Sequence, residues 1–367
     1  MRRRRLIGLT GAAVVAHACG PVPGAAEPPQ PHELDRVAAA IVDGGERPDG
    51  IPAIDHPDYD RVGVTSVPST VFSQHVGEYD DEDVVDALVG ADGVPRAYPR
   101  WITVWHEVVN DIFASEPVAI TYCPLTGSTL VFSGRLAGSA GTTFGVSGRI
   151  LNSNLVLFDR DSRSSWPQLL GVAVDGPRKG ERLRQLPMAV TTTLGRWKAR
   201  YPRSIVLTPL TGWRRPYRTW PYGRDYDQND RILFPLTARD GRFPPKQPML
   251  GVARPTDAGR VAAAALDKAA ALHRGVTRFD LDGAPLVALA DEGLGVVRVF
   301  RAEAAGRRLT FRAEGGAAVD GETGSRWSYM GIALSGELAT ERLEPVPAPE
   351  VFWFAWYAAY PRTSVVA

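Results

Sequence analysis

The chain carries the same pattern of uncommon residues twice. The first copy begins at Asp159 and the second at Asp320. Each copy contains Ser-x-Trp, Gly-x-Ala-x-x-Gly, Glu-Arg-Leu and Tyr-Pro-Arg in the same order, and the spacings agree to within one residue. So many shared positions are typical of a repeated structural unit, because both copies must pack the same side chains. The repeat therefore predicts two similar halves and restricts the fold to architectures that two such units can build.

Short apolar segments between turn residues predict the secondary structure. Residues 117–123 and 129–133 flank a Pro-Leu-Thr-Gly turn and predict a β-hairpin with Cys123 at the end of its first strand. Residues 155–158 predict another strand and 144–154 a longer loop, whereas 81–88 and 260–272 predict helices. Together these elements predict an α+β fold of short-stranded, β-rich sheets with a few helices, built from an internal duplication of two similar halves.

The N-terminus has the composition of an export signal. Met1 is followed by a run of arginines, residues 6–16 are mostly apolar, and Ala16-His17-Ala18 supplies the small residues that a signal peptidase reads. Cys19 follows directly, at the position that is lipidated in bacterial lipoproteins. We expect an exported protein, either a lipoprotein at the cell surface or periplasmic side or a secreted protein. A membrane is then touched only through the lipid anchor.

These features divide the chain into five segments. Proline is frequent in residues 20–31, which indicates a stiff, extended spacer. Residues 213–243 are too rich in aromatic side chains for a flexible linker. The predicted segments are a signal peptide at 1–18, a Pro-rich spacer at 19–48, a first half carrying the site at 49–212, an aromatic cross-over at 213–245 and a degenerate second half at 246–367.

Composition argues against several classes of partner. Lys and Arg total 42 against 41 Asp and Glu, and the resulting net charge of +1 argues against nucleic-acid binding, which needs a basic face to neutralise phosphates. Two cysteines are too few for a disulfide scaffold or a zinc module of four thiolates. The chain also lacks a phosphate-binding glycine loop and a Cys-x-x-Cys-His sequence. We therefore expect no nucleotide, flavin or haem.

Residues that only the first half carries are the candidates for chemistry. A scaffold residue is needed in both halves, whereas a site residue is needed in one. Imidazole and thiolate groups serve as bases, nucleophiles or metal ligands, carboxylates can orient them, and amides can hydrogen-bond an oxyanion. The candidates are Cys123, His106, Glu107 and Asn110 for catalysis, Cys123, His106 and Asp111 as metal ligands, and Thr126, Arg149, Asn152 and Asn154 for substrate binding.

Four motifs of the first half resemble a known family. They are WHEVVND at 105–111, YCPLTG at 122–127, FGVSG at 144–148 and NSN at 152–154. In this order they resemble the bacterial and archaeal domain-of-unknown-function family 3179, and the similarity runs from about Asp49 to the C-terminus. The resemblance implies export, since many members look exported. Some members have a second cysteine where this chain has Thr126, and its loss here counts against dithiol–disulfide exchange.

Three classes of function remain open. In the first, Cys123 and His106 bind one copper or zinc ion for redox or metal-handling chemistry. In the second, Cys123 is a nucleophile and His106 its base, with Glu107 or Asn110 orienting the imidazole, for acyl or group transfer. In the third, the same pocket is a non-catalytic surface binding module. The expected ligand is a metal ion or an unidentified small molecule, and the residues alone do not decide whether the protein is an enzyme.

Overall fold

The structure is a computed structural model that describes residues 31–61, 79–187, 189–256 and 260–366. The predicted signal peptide at 1–18, the lipidation site Cys19 and the proline-rich start of the spacer lie outside these residues. Within them, no helix is long and apolar enough to cross a lipid bilayer.

Short strands dominate the described residues, and five short helices accompany them, which confirms the α+β prediction. The strands before the cross-over are β1 Val42–Asp43, β2 Tyr59–Arg61, β3 Val84–Val89, β4 Pro95–Pro99, β5 Val108–Phe113, β6 Glu116–Cys123, β7 Ser128–Ser133, β8 Phe144–Leu151, β9 Asn154–Asp159, β10 Ser165–Pro167, β11 Gln185–Leu186, β12 Val190–Thr193 and β13 Ile205–Leu207. The strands after it are β14 Pro248–Pro255, β15 Val261–Asp267, β16 Val276–Leu281, β17 Ala284–Asp291, β18 Val296–Arg301, β19 Glu303–Ala304, β20 Arg307–Arg308, β21 Phe311–Glu314, β22 Ala317–Asp320, β23 Arg326–Trp327, β24 Ala333–Ser335, β25 Pro345–Val346, β26 Glu350–Phe352 and β27 Ser364–Val366. The helices are α1 Pro31–Ala39, α2 Arg100–Thr103, α3 Leu194–Arg200, α4 Lys268–Arg274 and α5 Trp353–Ala359.

The first half is organised in three sheets. Their strand orders are β1-β8-β9-β10, β11-β7-β6-β5 and β12-β3-β4-β13-β2. The predicted hairpin is confirmed as β6 and β7, which pair antiparallel with Cys123 opposite Ser128. The ordered structure begins before residue 49, because β1 pairs with β8 and Leu34 of α1 packs against Val172 and Val174. Residues 31–48 of the predicted spacer are therefore part of the globular fold.

The second half forms three sheets of four strands and one small hairpin in the described residues. Their orders are β26-β14-β15-β27, β16-β17-β18-β25, β21-β22-β23-β24 and β19-β20. The cross-over between the halves is irregular apart from one 3-10 turn at Tyr226–Gln228. Phe352 donates its backbone N–H to Thr126 O at 2.9 Å, and Tyr360 Oη donates to Leu169 O at 2.7 Å. The two halves are thus joined through backbone acceptors of the first half.

The repeated residues make the same local hydrogen bonds in both halves. Trp166 Nε1 donates to Asp159 Oδ2 at 3.0 Å, and Trp327 Nε1 donates to Asp320 Oδ2 at 2.9 Å. Further along each copy, a tryptophan indole donates to a hydroxyl seven residues later, Trp197 to Ser204 and Trp356 to Thr363. These bonds explain why the repeated residue types are needed twice. An origin of the halves by duplication stays a prediction.

Two predicted helices are wrong. Residues 81–88 contain strand β3, whose Val85 and Ala87 are fully buried between β4 and β12. Residues 260–272 contain strand β15, which pairs with β14 and β27, and only the end of the segment turns into α4. Alanine favours a helix in isolation, but small side chains suit a strand buried on both faces, and the tertiary pairing overrides the local propensity.

Candidate functional site

Cys123 lies at the end of β6, where the chain turns toward β7. Its side chain is only 1% exposed, and Sγ lies 3.8 Å from the backbone carbonyl oxygen of Ser153. Burial raises the pKa of the thiol to about 11, the nearby Glu107 carboxyl adds to this, and a hydrogen bond from Thr126 acts in the opposite direction. The thiol is therefore protonated at rest and needs a base before it can act as a nucleophile.

Glu107 is the titratable neighbour of this thiol. It precedes β5 with a φ of 57°, in the left-handed region that non-glycine residues seldom adopt, and its carbonyl accepts the backbone N–H of Tyr122 at 2.8 Å. The side chain is 4% exposed and has no hydrogen-bond partner within the described part of the chain. Burial alone raises the pKa of this carboxyl to about 8. An unpaired buried carboxyl is costly, so its presence beside a thiol suggests chemical use.

Two tyrosines of the cross-over, Tyr222 and Tyr226, lie within electrostatic range of this pair. Their ring centroids are 5.9 Å apart, and Tyr226 Oη donates to Leu125 O at 3.1 Å. Burial raises the pKa of both phenols; Glu107 and Cys123 add to the shift at Tyr222, and Cys123 adds to it at Tyr226. Among the described residues, Tyr222 Oη has no hydrogen-bond partner. Glu107, Cys123, Tyr222 and Tyr226 are hereafter the thiol–carboxyl site.

His106 is not a member of the thiol–carboxyl site. Its Nδ1 lies 2.7 Å from Pro52 O and its Nε2 lies 2.7 Å from Tyr217 Oη, so both ring nitrogens are engaged. Burial lowers the pKa of the imidazole to about 4. No interaction between His106 and Cys123 is found in the ranges that the structure describes. The neutral ring ties Pro52 to the cross-over through Tyr217.

The predicted metal ligands lie in separate environments. Asp111 accepts hydrogen bonds from Tyr59 and, at 3.3 Å, from Tyr98, and Arg96 Nε lies 3.5 Å from its Oδ2. Cys123 and His106 have the different partners described above. Residues 31–61, 79–187, 189–256 and 260–366 contain no group of three or more His, Cys, Asp or Glu side chains that could hold a metal ion. The set of Cys123, His106 and Asp111 does not converge in this conformation.

Asn110 also has a role within the fold. Its Nδ2 donates to Asp55 Oδ1 at 2.7 Å and to Phe144 O at 2.9 Å, while its Oδ1 accepts the Phe144 N–H at 2.9 Å. Both amide protons of Asn110 are thus used, and the two bonds with Phe144 join β5 to β8. In this arrangement the amide would have to break these bonds before it could stabilise an oxyanion.

Thr126 and Asn154 belong to a buried polar network behind Cys123. Asn154 Nδ2 donates to Thr126 Oγ1 at 3.0 Å and to Gln168 Oε1 at 2.7 Å. Thr126 Oγ1 lies 2.8 Å from Ser128 Oγ, which donates to the same Gln168 oxygen at 2.8 Å. The Thr126 hydroxyl also lowers the pKa of the Cys123 thiol, so this network acts on the sulfur through Thr126.

The sequence profile of one family, described as Protein of unknown function (DUF3179), matches residues 48–363. The chain belongs to the DUF3179 family. No curated protein and no solved structure matched it. In this DUF3179 protein the matched region covers both halves and the cross-over, and it contains every residue of the thiol–carboxyl site.

Two predicted substrate-binding residues of the DUF3179 protein have structural partners instead. The predicted loop at 144–154 is wrong, because β8 and β9 form a hairpin there. Asn152, in its turn, accepts the Thr237 N–H at 2.7 Å and donates to Ala358 O at 3.3 Å, which fastens the cross-over and α5 to the hairpin. Arg149 donates to Ser165 and, at 3.1 Å, to Asp175, and within the described ranges it contacts no member of the thiol–carboxyl site.

The residues predicted from the sequence of this DUF3179 protein did not include Tyr222, Tyr226 or Lys246. Lys246 is a buried lysine whose Nζ donates to Tyr226 O and lies 3.3 Å from Asn229 Oδ1 and 3.3 Å from the Tyr226 ring centroid. Burial lowers the pKa of its ammonium to about 8. The aromatic richness of residues 213–245 was the available signal for Tyr222 and Tyr226. Nothing local to residue 246 indicates burial of its side chain.

Proposed function

We propose that the protein is a cysteine-dependent group-transfer enzyme in which Cys123 is the nucleophile and Glu107 is its general base. The observation that carries the proposal is the buried Glu107 carboxyl, which has no hydrogen-bond partner among the described residues and acts electrostatically on the Cys123 thiol. Glu107 here takes the part that was predicted for His106. The imidazole is engaged at both nitrogens, whereas the carboxyl is free to exchange a proton.

The proposed reaction is an attack of sulfur on an electrophilic carbon such as an acyl carbon. As the S–C bond forms, the thiol proton moves through one water molecule to the Glu107 carboxylate, and the electron pair of the broken bond leaves with the departing group. Glu107 then returns the proton to that group. A second nucleophile, for example water, later breaks the S–C bond and restores the thiol. A base with a pKa of about 8 suits this exchange near neutral pH, because both of its protonation states are accessible.

In the proposed reaction Thr126 donates a hydrogen bond to the thiolate, in keeping with its lowering of the thiol pKa. Ser128 can donate either to Gln168 Oε1 or to Thr126 Oγ1, because both acceptors lie 2.8 Å away. Asn154 donates to both acceptors in either case. When Ser128 donates to Thr126, the single hydroxyl proton of Thr126 is released for the sulfur. The network can therefore rearrange by hydroxyl rotation as the charge on sulfur changes.

The test is the pH dependence of Cys123 alkylation by iodoacetamide, followed by peptide mass spectrometry so that Cys19 does not interfere. We expect the wild-type rate to rise through about pH 8, as Glu107 ionises. Glu107→Gln should lose this inflection, since no base remains whose ionisation changes the rate. Thr126→Val should keep the inflection with a lower rate. Glu337→Gln, at an exposed glutamate of the second half, is the matched control and should behave as wild type.

A second measurement tests whether a covalent intermediate forms on Cys123. With p-nitrophenyl acetate, wild type should release one equivalent of nitrophenol per chain in a burst and carry an acetyl group on Cys123, and Cys123→Ser should show no such burst. An unchanged alkylation profile in Glu107→Gln would overturn the proposal. So would elemental analysis that finds one copper or zinc ion per chain in wild type and none in Cys123→Ala and His106→Ala, because that result supports the metal-site alternative.

A further inference from the structure

A cavity of about 350 Å³ lies at the seam between the two halves. Leu130, Phe132 and Leu169 of the first half form one wall, and Leu286 and Trp356 of the second half form the other. We call this space the seam cavity. Its volume is in the range of small-molecule sites, and no residue of the thiol–carboxyl site lines it. The seam cavity is therefore a separate candidate site with an apolar interior.

Arginines dominate the charge of the seam cavity. Arg182, Arg254 and Arg301 line it, together with a single carboxylate, Glu344. Arg301 is neutralised, because its guanidinium lies 2.9 Å from Glu303 and 3.7 Å from Glu344. The lining thus retains a positive charge that must come from the other two arginines.

Neither of those two arginines has a carboxylate partner in the described ranges. Arg254 donates only to backbone carbonyls, to Leu281 O at 3.0 Å and to Asp282 O at 3.4 Å. Arg182 is exposed and makes no side-chain hydrogen bond or ion pair among the described residues. Two uncompensated guanidinium groups at the edge of an apolar cavity form a site for an anion that carries an apolar body.

The apolar space continues beyond Arg182. A second cavity of about 320 Å³ shares Arg182, Val261 and Tyr360 with the seam cavity, and its far wall includes Leu34 and Val37 of α1. The two spaces are therefore adjacent, and the Arg182 guanidinium group is among the residues that they share. An apolar chain with one charged end matches this lining.

We propose that the seam cavity binds an alkyl carboxylate, with the hydrocarbon chain against Leu130, Leu286 and Trp356 and the carboxylate between Arg182 and Arg254. Burial of the chain supplies the affinity, in proportion to the apolar area removed from water. The guanidinium groups select the anionic headgroup, since each can bind a carboxylate in a bidentate manner. This site needs no chemistry at Cys123, so it does not depend on the function proposed above.

Calorimetric titration of the full chain with decanoate, decanol and butyrate tests the proposal. We expect one decanoate per chain, at least fivefold weaker binding of decanol because it lacks the charge, and no measurable binding of butyrate because it lacks the chain. The double variant Arg182→Gln/Arg254→Gln should bind decanoate no better than wild type binds decanol. Arg278→Gln, at an exposed arginine that lines neither cavity, is the matched control and should bind as wild type.

A variant that fills the seam cavity with a larger side chain tests whether the ligand binds there. Ala253 lines the seam cavity from β14, and Ala253→Phe should abolish decanoate and decanol binding together. Unfolding curves of each variant show whether it is folded, and Ala253→Leu replaces Ala253→Phe if the larger residue prevents folding. The proposal fails if wild type does not bind decanoate, if decanol binds equally well, or if the folded filling variant still binds both ligands.

Discussion

At the scale of single residues, Glu107 combines two features that each cost stability. Its backbone adopts a φ of 57°, and its carboxyl is buried without a hydrogen-bond partner among the described residues. Residues held in sparsely populated backbone conformations cluster at functional sites, where the surrounding structure enforces them. Here the enforcing contacts are the Tyr122 N–H on the Glu107 carbonyl and the bond from the Glu107 N–H to Thr103 O at 2.7 Å. The carboxyl held in this way lies within electrostatic range of the Cys123 thiol.

The first prediction concerns the stability of Glu107→Gln. The unfolded carboxyl has a pKa of 4.5 and the folded one a pKa of about 8, so the unfolded state loses this proton first as the pH rises. Wild type therefore loses stability between about pH 4.5 and about pH 8, by up to about 5 kcal/mol at 1.36 kcal/mol per pKa unit. Glu107→Gln should lack this loss and be the more stable protein at the upper end. Urea unfolding across this range measures the difference; equal slopes for both proteins would contradict it.

The second prediction concerns His106, whose titration has the opposite sign. The imidazole has a pKa of about 4 in the folded protein, below the ordinary 6.5. Between these two pH values the unfolded imidazole binds a proton and the folded one does not. The contribution of His106 to the free energy of unfolding is fully present above pH 6.5 and falls by about 3 kcal/mol as the pH drops to about 4. In His106→Gln this acid-dependent loss should be absent. The same urea titration checks it, with His273→Gln, at a histidine in the last turn of α4, as the control.

At the scale of structural elements, the two Asp–Trp turns are equivalent devices in the two halves. Each buried indole donates to a buried aspartate that also accepts the backbone N–H of a nearby serine, at 3.2 Å in the first half and 3.1 Å in the second. This equivalence explains why the pattern could be recognised in the sequence. The turn residues that both halves carry serve packing. The residues of the thiol–carboxyl site do not belong to this repeated pattern.

Replacing each of these tryptophans by phenylalanine is the third prediction. Trp166→Phe and Trp327→Phe both remove one hydrogen bond to a buried aspartate and leave an acceptor less satisfied. Each change should cost about 1–3 kcal/mol of unfolding free energy, and the two costs should be similar because the bonds are alike in length and burial. Urea unfolding measures both. A several-fold difference between them would contradict the equivalence of the turns.

The cross-over contributes Tyr222 and Tyr226 to the thiol–carboxyl site, and Lys246 holds the cross-over in place. Its ammonium donates to Tyr226 O and lies beside Asn229, both of which belong to the cross-over. The fourth prediction is that Lys246→Met loosens this segment, since the loss of a charged donor costs about 1.5–3 kcal/mol. Amide hydrogen exchange should then increase in residues 222–237, and Cys123 should be alkylated about tenfold faster.

Lys198→Met is the control for the Lys246 variant. Lys198 lies on α3, where it pairs with an exposed aspartate, Asp81. Exposed ion pairs contribute little to stability, so neither exchange nor alkylation should change. If Lys246→Met left both measurements unchanged as well, the ammonium would not be what secures the cross-over.

At the scale of the whole molecule, the two halves share part of their apolar core. Buried residues of the first half such as Phe132 and Trp166 belong to the same apolar cluster as Met249, Trp353 and Trp356 of the second. The fifth prediction follows from this continuity. Unfolding in urea should be a single transition, with amides of β6 and β17 exchanging at the same free energy of opening. Exchange from β17 at a clearly lower free energy would show instead that the second half opens independently.

Export of the protein and lipidation of Cys19 stay predictions. Both rest on residues before Pro31, and the structure describes the chain only from that residue. Labelling of producing cells with radioactive palmitate, compared between wild type and Cys19→Ala, tests the lipid anchor. Fractionation of the same cells tests export.

The amino-acid sequence by itself determined the elements whose signals are local. The β6–β7 hairpin around Cys123 followed from its turn residues, and the repeated turns followed from the recurrence of residue types that make short-range hydrogen bonds. Cys123 and Glu107 were also found in this way, because only the first half carries them. Local hydrogen bonding and turn chemistry act over a few residues, so a linear pattern records them.

Only the tertiary structure decided which residues meet. The pairing of β3 and β15 with distant strands overrode their helical propensity, since strand pairing is a long-range interaction. No interaction joins His106 to Cys123 in the described residues although their motifs are close in the chain, because the imidazole is bound by Pro52 and by Tyr217 of the cross-over. Tyr222 and Tyr226 reach the site from the cross-over, whose aromatic richness was visible in the sequence without indicating what the rings contact. The burial of Lys246 had no local signal. Burial raises the pKa of the Glu107 carboxyl and lowers that of the His106 imidazole, which is why we propose Glu107 as the base, and burial depends on the whole fold.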